Sequence, residues 1–61
     1  MMKTCDICKE PELVVYYDAK TKDGPWADMC SYCFATYGLG LGTGLGQRYA
    51  WDGNKYGKEA G

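Results

Sequence analysis

The apolar positions of the chain fall into short runs that polar residues, glycine or proline interrupt. Residues 13–17 (LVVYY) form the longest apolar run, and its β-branched and aromatic content predicts a strand. A polar stretch that ends in Gly24-Pro25 follows and predicts a turn. Over residues 26–29 larger apolar side chains alternate with small or polar ones. This alternation predicts the returning strand of a β-hairpin.

The second half of the chain begins with a predicted helix and continues into a glycine-rich stretch. Residues 34–37 (FATY) contain no helix breaker before Gly38, which predicts a short helix closed by that glycine. Residues 38–46 alternate glycine with leucine or threonine, and two interpretations stay open. The stretch is either a flexible linker or an extended ribbon with Leu39, Leu41, Thr43 and Leu45 on one face.

The remaining residues carry one further turn signal. Asp52-Gly53 lies between segments that bear aromatic side chains, and this dipeptide predicts a hairpin or turn. Residues 57–61 are polar and terminal, and we expect them to fray.

Four cysteines in two pairs are the strongest chemical signal. Two residues separate Cys5 from Cys8 and Cys30 from Cys33, 21 residues separate the pairs, and the chain has no histidine. The separation is just longer than the roughly 15–20 residues usual between such pairs in zinc sites. Four thiolates bind zinc tetrahedrally and leave no open position for a water molecule. We therefore predict one structural Zn²⁺ and no enzymatic activity.

Chain length and the N-terminal sequence favour a metal over disulfides. A chain of 61 residues buries only about 60% of its unfolded surface, so its core alone gives marginal stability. The N-terminus has no apolar run of signal-peptide length, and no stretch approaches the roughly 20 residues of a membrane span. We expect a soluble cytoplasmic protein, in which clustered cysteines usually bind metal.

The order of these features resembles a treble-clef zinc finger, and especially its GATA-type arrangement. A CxxC knuckle precedes a hairpin, Trp26 precedes the second pair, and that pair opens a helix. The resemblance covers residues 5–37 and implies that the four cysteines bind zinc. After Cys33 the chain reads FATYG instead of a basic helix, so DNA recognition does not carry over.

The whole chain is also similar to small four-cysteine proteins encoded by bacteriophages. In those proteins a Gly-x-Gly-Thr-Gly segment follows the second CxxC, as residues 40–44 do here. This resemblance implies the cytoplasm of a host cell and brings no established activity. The expected architecture is a metal-stabilised α+β finger over residues 1–37, followed by a glycine-rich and aromatic extension over residues 38–61.

Nine aromatic residues are too many for one small core. We expect Trp26 and Phe34 to pack around the cysteine knuckles. Near the Asp-Gly turn, four residues of types common in protein interfaces form a predicted partner-binding surface: Arg48, Tyr49, Trp51 and Tyr56. The alternative is that the aromatic residues of this set attach the C-terminal turn to the domain.

These observations favour a zinc module that mediates protein–protein interaction. Two alternatives stay open: a zinc finger that binds nucleic acid and a rubredoxin-like iron protein that transfers electrons. Seven basic and eight acidic residues give a net charge of −1, and a nucleic-acid-binding domain usually has a basic patch. The charge therefore disfavours the first alternative.

Overall fold

A computed structural model describes residues 2–61 of the protein as a small α+β structure with one sheet and one helix. The four strands are antiparallel and lie in the order β2-β1-β3-β4. In chain order the elements are β1 (Val15–Lys20), β2 (Trp26–Met29), α1 (Ser31–Tyr37), β3 (Gly46–Trp51) and β4 (Tyr56–Ala60). The predicted α+β class is confirmed.

The predicted hairpin is formed by β1 and β2. Thr21 closes its turn because both its backbone N–H and its hydroxyl donate to the carbonyl of Pro25, at 2.9 and 2.8 Å. Gly24 has a φ of 111°, a conformation that glycine adopts without strain. The first strand starts two residues later than predicted and continues through polar residues to Lys20. Polar side chains are tolerated there because only one face of the sheet carries the helix.

The C-terminal segment supplies the other two strands of the same sheet. β3 pairs with β1 from Val15↔Ala50 to Ala19↔Gly46, and β4 pairs with β3 at the edge. The sheet thus runs across the boundary expected at residue 37. Residues 56–60 form β4 rather than a frayed end.

The glycine-rich stretch is neither a strand nor an extended ribbon. Gly40, Gly42 and Gly44 have φ angles of 143°, 126° and 78°, which strands do not adopt. Gly42 and Gly46 donate to each other's carbonyl at 2.9 and 3.0 Å and close a tight turn. The extended-ribbon interpretation is therefore wrong, and the leucines at 39, 41 and 45 remain exposed.

The core lies between the sheet, the helix and the cysteine-bearing segments. Its fully buried large side chains are Met29, Cys5 and Cys33. The helix packs on one face of the sheet, where Phe34 stacks on Tyr17 with ring centroids 4.1 Å apart. Trp26 does not join this core and is 47% exposed. Its predicted packing around the knuckles is wrong, because it lies on the sheet face opposite the helix, paired with Lys20.

Across residues 2–61, no helix has the length and apolar character needed to cross a membrane.

Candidate metal centre

The first cysteine pair lies on a tight turn that folds back on itself. Lys9 donates its backbone N–H to the carbonyl of Cys5 at 3.0 Å, and Cys5 donates to the carbonyl of Glu10 at 2.8 Å. The turn also requires a positive φ of 69° at Lys9. The backbone N–H of Cys8 points at the Cys5 sulfur, 3.5 Å away. This geometry is a knuckle, which presents both sulfurs on one side.

The second pair repeats this arrangement at the start of α1. Cys30 is the N-cap residue of the helix, and its sulfur accepts from the backbone N–H of Cys33 at 3.4 Å. Its carbonyl accepts the first helical hydrogen bond, from Phe34 at 2.9 Å. The side chain of an N-cap residue normally satisfies a free N–H of the first turn. Here a thiol does so, and the same contact fixes the direction of the Cys30 sulfur.

The four sulfurs converge on one point. All four Sγ atoms lie within 4.8 Å of one another, and those of Cys8 and Cys30 are 3.7 Å apart. A regular tetrahedron with metal–sulfur bonds of about 2.3 Å has edges of about 3.8 Å. Cys5, Cys30 and Cys33 are buried and Cys8 is exposed. The four cysteines are therefore positioned to bind a metal ion.

Without a metal the thiols of Cys5, Cys8 and Cys33 differ in acidity. Burial raises the pKa of Cys33 to about 12, and hydrogen bonds among the thiols reinforce this effect. Burial also acts on Cys5, but backbone N–H groups that include those of Cys30 and Cys8 outweigh it and lower its pKa to about 6. The pKa of Cys8 is raised, because its contacts with the Cys5 and Cys30 thiols outweigh the opposing backbone N–H of Glu10. A metal ion must therefore displace protons when it binds.

Asp6 and Asp28 support the first knuckle, and sequence analysis did not identify them. The backbone N–H of Asp6 donates to the carbonyl of Asp28 at 2.8 Å, and the Asp6 carboxylate accepts from the Asp28 N–H at 2.8 Å. The Lys3 ammonium lies 3.4 Å from the Asp28 carboxylate. These bonds join the knuckle to β2. The only sequence signal was the place of Asp6 inside the CxxC motif.

The four residues of the predicted partner-binding surface lie on β3 and at the start of β4, and none of them belongs to the cysteine cluster. Tyr49 stacks on Tyr16 at 5.1 Å, and Tyr56 meets Tyr16 edge-on at 4.6 Å. Trp51 meets Tyr56 edge-on at 5.0 Å, and Arg48 forms a 3.0 Å ion pair with the carboxylate of Glu59.

Contacts of Tyr56 extend this cluster to the N-terminal segment. Its hydroxyl donates to the carbonyl of Leu13 at 2.6 Å and accepts from the backbone N–H of Lys3 at 2.9 Å. Tyr49 and Tyr56 both pack against the buried core. This packing favours the alternative interpretation, in which these aromatic side chains attach the C-terminal strands to the domain.

The donor set is compatible with two metals. Four thiolates in tetrahedral array suit zinc, and they also suit iron. No protein-family model, curated protein or solved structure matches the chain.

Proposed function

We propose that this protein is a non-enzymatic module built around one structural zinc ion, and that it mediates contact with another protein. The observation that carries the proposal is the convergence of four thiol sulfurs, all within 4.8 Å of one another. The ligands are Cys5, Cys8, Cys30 and Cys33.

A structural role for zinc is supported by ligand number and by burial. Four thiolates complete the tetrahedron, so no coordination position remains for a substrate or a reactive water. Three of the four cysteines are buried and are themselves a large part of the core. Zinc binding contributes roughly 10–16 kcal/mol to folding in zinc-finger peptides. That is large beside the few kcal/mol that so small a core supplies.

The arrangement around the ion supports a treble-clef-like finger. The first knuckle precedes the β1–β2 hairpin, and Cys30 caps a helix that begins at the second pair. This is the element order of the family that residues 5–37 resemble. Strands β3 and β4 then extend the hairpin into a four-stranded sheet.

Exposed apolar side chains support a role in binding another protein. Proteins usually bury large apolar side chains, and clusters of exposed ones often mark interaction sites. Among residues 2–61, eight large apolar side chains are exposed: Ile7, Val14, Trp26, Tyr32, Tyr37, Leu39, Leu41 and Leu45.

Metal content tests the zinc assignment. Protein purified under reducing conditions should contain one zinc per chain by elemental analysis. After cobalt substitution, the protein should show the absorption spectrum of a tetrahedral tetrathiolate site. Cys33→Ser should abolish stoichiometric zinc. Ser31→Ala changes a residue between the cysteines of the second pair and should retain it. If the purified protein is red and contains iron, the metal is iron instead of zinc. Intramolecular disulfides in reduced preparations would contradict any metal site.

A further inference from the structure

A shallow groove of about 310 Å³ lies beside the metal centre. We call it the knuckle groove. Its apolar lining comes from Ile7 in the first knuckle, Pro25 and Ala27 in the hairpin, and Tyr37 at the end of α1. Thr21 and two acidic residues, Asp6 and Asp23, complete the lining. The groove thus combines apolar walls with acidic groups.

Hydrogen bonds from three elements hold the walls of the knuckle groove in place. The Asp6 backbone and carboxylate bind the backbone of Asp28 on β2, which fixes the knuckle wall. Lys22 donates its backbone N–H to the carbonyl of Tyr37 at 2.8 Å, which ties the end of the helix to the hairpin. The cavity therefore exists without a partner and requires little ordering when one binds.

The apolar walls remain open to solvent. Ile7 in the first knuckle is 39% exposed, and Tyr37 at the end of α1 is 43% exposed. Their burial by a partner would remove apolar surface from water, which favours association.

The net charge around the groove bears on the class of partner. Residues 1–37 contain six acidic and four basic residues, whereas residues 38–61 contain two acidic and three basic residues. Four thiolates with one Zn²⁺ add a further charge of −2 to the first region, so it carries about −4 when zinc is bound. Electrostatic complementarity then favours a basic partner.

The adjacent strand edge favours an extended partner. The backbone N–H and C=O of Asp28 point away from β1, since both bind Asp6. In an antiparallel pair such outward groups recur at every second residue, so the backbone groups of Trp26 also point outward. Trp26 lies between two groove residues, Pro25 and Ala27. Because Asp6 already occupies the outward groups of Asp28, a peptide in the knuckle groove can form strand-like hydrogen bonds with the backbone of Trp26.

We infer that the knuckle groove binds an extended segment of a partner protein in which an apolar side chain is flanked by lysine or arginine. This inference rests on the proposed zinc module and specifies the surface and the chemistry of its partner. The apolar side chain lies against Ile7 and Tyr37. The flanking cations lie beside Asp6 and Asp23.

A displayed library of random heptapeptides, selected against the zinc-loaded protein, tests the inference. Zinc content and the amide NMR spectrum are checked first, so that a failed metal site is distinguished from a failed groove. Selected peptides should be enriched in a leucine or aromatic residue beside lysine or arginine. When added to the labelled protein, they should shift the amide signals of Ile7, Ala27 and Tyr37.

Two tyrosines of the same helix provide a matched pair of variants. Tyr37→Ser removes a wall of the groove and should weaken peptide binding by about tenfold or more. Tyr32 is 76% exposed on α1 and lies outside the groove, so Tyr32→Ser should leave the affinity unchanged. Asp23→Lys should also weaken binding and should reduce its dependence on salt.

Several results would overturn the inference. These are a folded zinc-loaded protein that selects no peptide, selection of acidic peptides, equal losses for Tyr37→Ser and Tyr32→Ser, or shifts centred on residues 48–56. Self-association through the groove, detected by sedimentation and abolished by Tyr37→Ser, would assign the site to a second copy of the chain and would also overturn it.

Discussion

The hydroxyl of Tyr56 shows how single side chains connect distant parts of this small chain. It bonds to the Leu13 carbonyl and to the Lys3 N–H, while its ring packs against Tyr16 and Trp51. Tyr56→Phe keeps the ring and removes the hydroxyl, so the partly buried carbonyl loses its donor. We predict a loss of about 1–2 kcal/mol in the free energy of unfolding.

Denaturant unfolding of the zinc-loaded protein measures the effect of Tyr56→Phe. Tyr32→Phe is the control, because that ring lies on the surface and its variant should unfold like the wild type. Equal stability of all three proteins would contradict the structural role of Tyr56.

Gly46 is the first residue of β3 and pairs with Ala19 of β1. A Cβ at this position would lie 2.5 Å from the Cβ of buried Ala19 and 2.9 Å from the carbonyl oxygen of Gly40. Gly46→Ala should therefore destabilise the protein by about 1–3 kcal/mol, as overpacking of a core does. Gly57→Ala on β4 is the matched control, because its Cβ would meet no atom within 4 Å. A thermal melt compares the two variants, and a tolerated Gly46→Ala would contradict the close approach.

At the scale of elements, Asp52 organises the turn between β3 and β4. Its carboxylate accepts from the backbone N–H groups of Asn54 and Lys55, both at 2.8 Å, and these bonds lower its pKa. Asp52→Ala should open the turn and accelerate amide hydrogen exchange in β4, while zinc content stays at the wild-type level. Asp52→Asn keeps one acceptor oxygen and should have a smaller effect. Unchanged exchange in Asp52→Ala would contradict this role.

Elements defined by local signals could be predicted from the sequence. The Gly24-Pro25 turn, the strand of residues 26–29 and the helix that stops before Gly38 depend on neighbouring residues, and the structure contains all three. The cluster of four cysteines was predictable as well, because ligand spacing reflects coordination geometry.

Long-range pairings could not be predicted in the same way. The β1–β3 pairing joins residues about 30 positions apart, and no single segment carries a signal for it. The leucine–glycine alternation suggested a ribbon, but positive φ angles at three glycines turned the chain instead. The knuckle groove could not be predicted from the sequence either, since its lining comes from three separate segments.

At the scale of the whole molecule, zinc binding should depend strongly on pH. The thiols of Cys8 and Cys33 have raised pKa values in the metal-free cluster, yet both must be thiolates to bind zinc. The metal-bound protein therefore holds fewer protons than the metal-free or unfolded chain. The stability that bound zinc contributes is therefore fully present above the pKa of an unfolded thiol, about 8.5, and is lost as the pH falls.

Competition with a chelator measures this pH dependence. The apparent dissociation constant for zinc, corrected for the chelator's own protonation, should rise by at least about tenfold for each unit of pH between 8 and 6. A constant that does not change over this range would show that protonated thiols, or other groups, bind the ion.

The central claim is that one ion held by four thiolates maintains the fold of a chain whose core is too small to do so alone. An amide NMR spectrum of the reduced protein, recorded before and after removal of metal by a chelator, tests it most directly. The dispersed signals should collapse to those of an unfolded chain and return after one equivalent of Zn²⁺. A reduced, metal-free protein that keeps its native dispersion would contradict the claim.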